Sequence, residues 1–338
     1  MTTNQIIEQV LKTIRQYDMI ASGDKVLVGI SGGPDSVFLL YSLRRLQRKL
    51  NFKLSACHLD HGIRGSSSRA DARFTAKLCD AMGIPVAQKK AKGIAGKRSK
   101  LSLEERARKA RYEFFEYAAG KTRANVVATG HNLDDQAETV LMRIIQGASA
   151  KGASGIPPVR TMGGFRIVRP LIELEKKHIT SCLRKERIAY RVDESNYSTK
   201  YLRNSVRRKI IPYLQKYNPR LKRALFNFAQ HIREDRDSIE SIKNGVLKRL
   251  VSKKGRFIEV PVKEILRQPP SIQREIVRDA LERAGGRIKA LTYRHWKEAE
   301  CLIKKKNTGS SIELPGGIRS IRTSSTIRYQ RIPRRKRS

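Results

Sequence analysis

Residues 25–30 (KVLVGI) run straight into Ser31-Gly32-Gly33-Pro34-Asp35-Ser36 and then into VFLLYSLRRL, and this junction constrains the chain more than any other segment. An apolar run without polar alternation predicts a strand covered on both faces. The stretch after the turn is apolar almost all round at its start, which predicts a helix packed on that sheet. The alternation then repeats. Strands are predicted at 54–58, 86–89 and 125–129, and helices at 70–82, 102–119 and 134–146. An amphipathic helix at 1–20 precedes them, and Ser102 with Glu105 reads as a capping box. Strands alternating with helices over about 150 residues predict an α/β doubly wound parallel sheet.

Residues 147–165 are rich in Gly, Ala, Ser and Pro and read as a loop. A helix at 174–186 and a short strand at 189–192 follow. A basic helical region begins near Leu202, punctuated by Pro212 and Pro219, and a helical period runs from 221 to 250. A boundary at about residue 218 separates a first domain, 1–218, from a mainly helical basic second domain, 219–338. That domain ends in a small β hairpin around Gly316-Gly317 and a basic tail.

The chain carries 72 Lys and Arg against 31 Asp and Glu, a formal net charge of +41. Residues 1–150 hold +11 of it and residues 151–338 hold +30. A field of that size favours a polyanion, and its concentration in the second half points to nucleic acid. No apolar stretch is long enough for a membrane span, and the N-terminus has no secretory pattern, so a cytoplasmic location is expected. The four cysteines at 57, 79, 182 and 301 make no CxxC pair.

The chemistry gathers at strand ends. In residues 31–36, two glycines turn the backbone and present N–H groups, and the helix behind adds its positive end, so Ser31, Gly32, Gly33, Pro34, Asp35 and Ser36 form a phosphate cradle. No Gly-Lys-Ser/Thr closes it, so it is not a Walker A loop. The turn after 54–58 carries Asp60, His61 and Arg64, and the turn after 125–129 carries Gly130, His131, Asn132, Asp134 and Asp135. In an open parallel sheet all three converge on one crevice. Asp135 and Glu138, three apart on one helix, can hold a cation, either a metal or a substrate ammonium. Arg108 and Arg111 share a face of the helix 102–119. A last cluster, Asn196, Arg203, Asn204, Arg207 and Arg208, forms a polar and positive ridge.

SGGPDS, DHGIRG, SLEERARKARYEFF, GHNLDDQAET and DESN…RNSVRR occur in this order, and together they resemble the tRNA(Ile)-lysidine synthetase family. The resemblance is close over residues 20–215 and looser beyond. It implies a pyrophosphatase-loop, Rossmann-like fold, ATP and Mg²⁺ as cofactors, and ATP-dependent joining of free lysine to the wobble cytidine of tRNA(Ile) bearing a CAU anticodon. By that resemblance Asp35 handles Mg²⁺ or ATP. Asp135 and Glu138 hold lysine's amino groups. Arg111, with Arg108 as the alternative, faces the ATP phosphate or the activated base. Residues 31–36, His61, Gly130 and His131 line the ATP site, and Asn196, Arg203, Asn204, Arg207 and Arg208 guide tRNA. By the same resemblance the chain is expected to be a short form, without the further C-terminal domain that many members carry. The sequence leaves the oligomeric state open, with a homodimer as one option. The main rival is a tRNA-thiolating enzyme of the same loop class, which the unpaired cysteines disfavour.

Overall fold

The structure, a computed structural model, describes residues 1–60, 66–91, 103–148, 150–191, 202–304 and 307–332. It divides into two compact units, Met1–Arg233 and Glu234–Ser338.

In the first unit the elements follow the order α1 (Thr3–Gln16), β1 (Lys25–Gly29), α2 (Pro34–Leu50), β2 (Lys53–Asp60), α3 (Ser66–Ala81), β3 (Val86–Lys90), α4 (Leu103–Thr122), β4 (Val126–Ala128), α5 (Leu133–Ile145), α6 (Ala150–Ala153), β5 (Val159–Met162), β6 (Phe165–Val168), α7 (Lys176–Lys185), α8 (Leu202–Ser205), a π-helical turn Val206–Ile210, and α9 (Ile211–Gln215). The sheet order is β3-β2-β1-β4-β6-β5. All pairs are parallel except β5 with β6. β1 is central, its Val26 registered with Leu54 on one side and Val126 on the other.

Side chains from the sheet enter both layers. Val26 and Val28 pack with Ile6, Val10, Phe38, Leu40 and Ile179 of α1, α2 and α7. Leu27 and Val127 pack with Phe114, Phe115 and Ala118 of α4 on the opposite face. This is the doubly wound parallel sheet expected from the uninterrupted apolar strands. Strand order reverses between β1 and β4, so the crevice lies outside their carboxyl ends.

Two local expectations are corrected. Residues 147–165 are not all loop. They contain α6 and β5, and β5 turns into β6 through Gly163-Gly164, both with positive φ, pairing Met162 with Phe165. The glycine pair is itself the signal of a two-residue hairpin. Residues 189–191 form no strand, and Val192 lies outside the described residues. The Arg191 N–H is instead bonded to the Gly32 carbonyl at 2.9 Å, and its side chain pairs with Asp71. That segment is tied to the phosphate turn. Ser102 of the expected capping box lies outside the described residues.

The second unit holds most of α10 (Leu221–Leu250), then β7 (Ser252–Lys254), β8 (Phe257–Pro261), α11 (Val262–Leu266), α12 (Pro270–Arg283), α13 (Tyr293–Lys304), β9 (Ser311–Leu314), β10 (Ile318–Arg322) and β11 (Thr326–Arg331). β9 and β10 form the hairpin around Gly316-Gly317, as expected. It belongs to a larger antiparallel sheet ordered β7-β8-β11-β10-β9. Tyr329, Ile318 and Val260 of this sheet pack with Trp296, Leu302, Ile276 and Leu281.

The expected boundary at 218 and the division after Arg233 differ because the start of α10 has apolar work in the first unit. Phe226 packs with Leu133 and Ile172, and Leu221 and Leu225 pack with Ala137, Val206 and Ile211. The charge also redistributes. Residues 151–233 carry 20 basic against 5 acidic side chains, and residues 234–338 carry 27 against 12. Each has an excess of +15, so the shorter stretch beside the crevice is the denser.

Candidate active site

The phosphate turn is held by its own serines. Ser36 Oγ accepts the Ser31 N–H at 3.1 Å and donates to the Gly33 carbonyl at 3.0 Å. Gly33 caps α2 with extended backbone and Pro34 opens the helix, so no side chain covers its first N–H groups. Those unpartnered donors and the helix dipole are what an anion needs.

The turn after β4 presses close to this one. A Cβ on Gly130 would lie 3.0 Å from the Asp35 carbonyl carbon and 3.1 Å from the Ser36 nitrogen, which is why glycine is needed there. Asn132 then caps α5 in a reciprocal box. Its Oδ1 accepts the Asp135 N–H at 3.0 Å, and Asp135 Oδ2 accepts the Asn132 N–H at 3.2 Å. Asn132 Nδ2 crosses the crevice and donates to Asp35 Oδ1 at 2.8 Å. Asn132 is 1% exposed, and the sequence places it in this turn without a role of its own, although an Asn before two aspartates is a recognisable N-cap signal.

Asp35 therefore sits between Asn132 and Lys176, whose Nζ is 3.5 Å from Oδ2. Burial raises the Asp35 carboxyl above the usual carboxylate range, and nearby Asp135 adds to the rise. Lys176 and the Asn132 hydrogen bond oppose both. Removing that hydrogen bond removes a stabiliser of the ionised form. Asn132→Ala is accordingly expected to move the acid limb of the catalysed rate to higher pH. A pH–rate profile of the two proteins checks this.

His131 bonds Thr129 Oγ1 through Nδ1 at 3.0 Å. Desolvation holds its imidazole well below the usual histidine range, and the cations of Arg169, Arg111, Arg203 and Arg108 push it further. The ring is neutral at neutral pH. Arg108 and Arg111 thus both reach the crevice electrostatically, and Arg111 has the larger effect on His131. Arg108 lies 5.3 Å from the centroid of the Tyr112 ring. Arg169, just past β6, is the cation the sequence reading missed. It is 2% exposed, donates to the Pro157 carbonyl at 2.6 Å, and leaves Nε without a hydrogen-bond partner. Burial pulls its guanidinium down to about 10. An arginine following FRIV carries no sequence signal of burial, because only the sheet order shows that the position faces the crevice.

Asp134, Asp135 and Glu138 divide their work. Asp134 is a structural tie, accepting from Lys222 Nζ at 2.6 Å and from the Lys176 N–H at 2.8 Å. Glu138, 2% exposed, accepts from Arg207 Nε at 2.6 Å on Oε1, and from Arg207 Nη2 at 2.9 Å and Arg203 Nε at 3.0 Å on Oε2. Asp135 Oδ1 accepts from Arg203 Nη2 at 3.2 Å. Thus Arg203 and Arg207, members of the expected positive ridge, are bonded to the carboxylate pair. Asn204 and Arg208 lie on the same segment, and Arg208 is exposed. His61 and Asn196 lie outside the described residues.

Among the described residues no three metal-ligating side chains cluster. Mg²⁺ in nucleotide sites is held through one or two carboxylates plus substrate phosphates; Asp35 is the carboxylate at the phosphate turn, and its oxygens are shared here with Asn132 Nδ2 and Lys176 Nζ. No helix among the described residues is long and apolar enough to cross a membrane.

A glycine turn between strand and helix, at the point where strand order reverses, with an adjoining carboxylate and arginines, defines a nucleotide-dependent enzyme of the PP-loop class, and the PP-loop domain family matches residues 2–214. Two curated relatives are similar across nearly the whole chain. The tRNA(Ile)-lysidine synthase of Caldanaerobacter subterraneus is 36% identical over 95% of this chain and 68% of its own length. That of Clostridioides difficile is 33% identical over 95% and 70%. The chain belongs to the tRNA(Ile)-lysidine synthase family. Among solved structures, the U34-tRNA thiolase NcsA from Methanococcus maripaludis, with its [4Fe-4S] cluster, shares the fold at a TM-score of 0.59 and 23% identity, covering 68% of this chain and 78% of that one. The cysteines here offer no comparable cluster. Cys57, Cys79 and Cys182 are buried, and burial pushes the Cys57 thiol up to about 12 and the Cys79 thiol up to about 11.

Proposed function

We propose that this enzyme forms lysidine at the wobble cytidine of tRNA(Ile) with a CAU anticodon, using ATP and free lysine. The observation that carries the reading is the meeting, in one crevice, of a phosphate turn, an arginine group around a histidine, and a carboxylate pair of buried Glu138 and half-buried Asp135.

The chemistry proceeds in two displacements. The cytidine O2 attacks the α-phosphorus of ATP, and pyrophosphate leaves. A lysine amine then attacks C2, the C2–O bond to AMP breaks, and the nitrogen loses a proton. The first step makes a poor leaving oxygen into a good one. Developing charge on the α-phosphate calls for preorganised donors. The N–H groups of residues 31–36 and the cations of Arg111, Arg108 and Arg169 answer that need. Asp35 would hold Mg²⁺, which would supply neutralisation of the phosphate charge. His131, being neutral, acts as a hydrogen-bonding group. Asp135 and Glu138 take an ammonium of lysine.

Pyrophosphate release that depends on the cognate tRNA, with one AMP formed per lysine joined, tests the reading. Pyrophosphate release with lysine alone would replace it with activation of the amino acid.

The tRNA is gripped by basic surface in both units, with catalysis in the first; the location is the cytoplasm. Five phosphate contacts give a log–log salt slope of about −4. Because residues 151–233 and 234–338 hold equal positive excess, neutralising exposed Lys253, Lys254 and Arg256 is expected to reduce the slope by only part of its value. Filter binding from about 50 to 200 mM salt checks it.

A further inference from the structure

Both oxygens of Glu138 are taken in this structure. Arg207 forks onto them at 2.6 and 2.9 Å, and Arg203 Nε adds a third contact at 3.0 Å. Asp135 has one oxygen in its helix cap, and the other is 3.2 Å from Arg203 and 3.7 Å from Arg207. Two carboxylates are thus matched by two guanidiniums. An arriving ammonium would meet a neutralised site, so whatever admits it must first move a guanidinium.

We propose that Arg207 is a specificity-determining gate of the amine seat: it stands in for the substrate ammonium on Glu138 and leaves for a phosphate of the tRNA, so that lysine binds more tightly once tRNA is bound. This rests on the reading of Asp135 and Glu138 as the lysine seat.

Three observations single out Arg207 over Arg203. Arg203 is shared between both carboxylates, whereas the hydrogen bonds of Arg207 all go to Glu138. Arg207 lies in the π-helical turn Val206–Ile210, between two α-helical segments. Such turns are rare, are frequent at functional sites, and hold one residue more than an α turn. Relaxing this one to α geometry would rotate the side chain by about 100° about the helix axis. Finally, Arg207 begins the run Arg207-Arg208-Lys209, whose other two members are exposed, so a polyanion arrives within its reach. Guanidinium pairs phosphate in the same forked manner as carboxylate.

The exchange is coupled by charge. Lysine alone would leave Arg207 without its anion. The tRNA alone would leave Glu138, 2% exposed, with Arg203 as its one remaining guanidinium contact and without the fork of Arg207. Together the two ligands leave every ion paired. Each therefore raises the affinity of the other by the same factor.

The test is equilibrium binding of labelled lysine to the full chain with a non-hydrolysable ATP analogue, with and without tRNA(Ile). The natural chain is expected to bind lysine at least about tenfold more tightly with tRNA present, within the usual range of coupling. Arg207→Gln is expected to bind lysine without tRNA nearly as tightly as the natural chain does with it, which removes the coupling. Arg207→Lys keeps the charge but not the fork and should show intermediate coupling. It also serves if the glutamine variant fails to fold. Equal lysine binding by the natural chain with and without tRNA overturns the gate, as does full coupling retained in both variants. Glu138→Gln separates the two layers. Loss of lysine binding in that variant under both conditions upholds the seat, so a fully coupled Arg207 variant then sinks the gate alone. Lysine binding that survives in Glu138→Gln overturns seat and gate together.

Discussion

Asp35→Ala is expected to lower AMP formation by about a thousandfold, the upper range for loss of one preorganised charge-stabilising group, while tRNA binds as before. The side chain stands at the start of α2 and faces Lys176 and Asn132, close to where phosphate charge gathers. Its loss removes the carboxylate that suits Mg²⁺ and leaves the rest of the phosphate turn in place. Stability gives an independent control. Burial raises the Asp35 carboxyl in the folded chain, so its ionisation opposes folding. A carboxyl raised on folding favours the native state at low pH and disfavours it once pH exceeds the unfolded value. Asp35→Asn is therefore expected to melt no lower than the natural chain at neutral pH, although it is inactive. Near-normal AMP production by either variant would remove Asp35 from the mechanism.

Glu138→Gln is expected to raise the KM for lysine by about a hundredfold, as loss of a charge-assisted contact of roughly 3 kcal/mol implies, with little change in the KM for ATP. Here stability should fall. The substitution leaves Arg203 and Arg207 without their main anion, and breaking a fully buried pair costs about 3–5 kcal/mol. Both arginine side chains are about a third exposed, at 34% and 32%, so solvent screening brings the expected loss down to about 1–2 kcal/mol. Thermal melting and lysine-dependent kinetics on one preparation measure the two effects. A change confined to ATP would show that this helix face does not serve lysine.

The first domain was legible because its signals are local. Strand 25–30, the glycine turn and the helix behind it are contiguous, and uninterrupted apolar strands state that both faces of the sheet are covered. The capping role of Asn132 and the β5–β6 hairpin at Gly163-Gly164 were also written locally but were overshadowed, the one by the aspartates after it and the other by the surrounding glycines and prolines. The pairing of Arg203 and Arg207 with Glu138 could not be read. It joins residues 65 and 69 positions apart, and only the return of the chain past α5 brings them together. Arg169 was hidden for the same reason. The boundary near 218 followed the prolines, whereas the fold follows the apolar contacts of Leu221, Leu225 and Phe226.

The most direct measurement is mass spectrometry of the anticodon nucleosides after tRNA(Ile) is incubated with the enzyme, ATP and isotopically labelled lysine. The wobble cytidine should carry one labelled lysine, in amount equal to the AMP released, and nothing should be added when the wobble base is uridine. Label found elsewhere in the tRNA, or AMP formed while the wobble cytidine stays unmodified, would contradict the assignment.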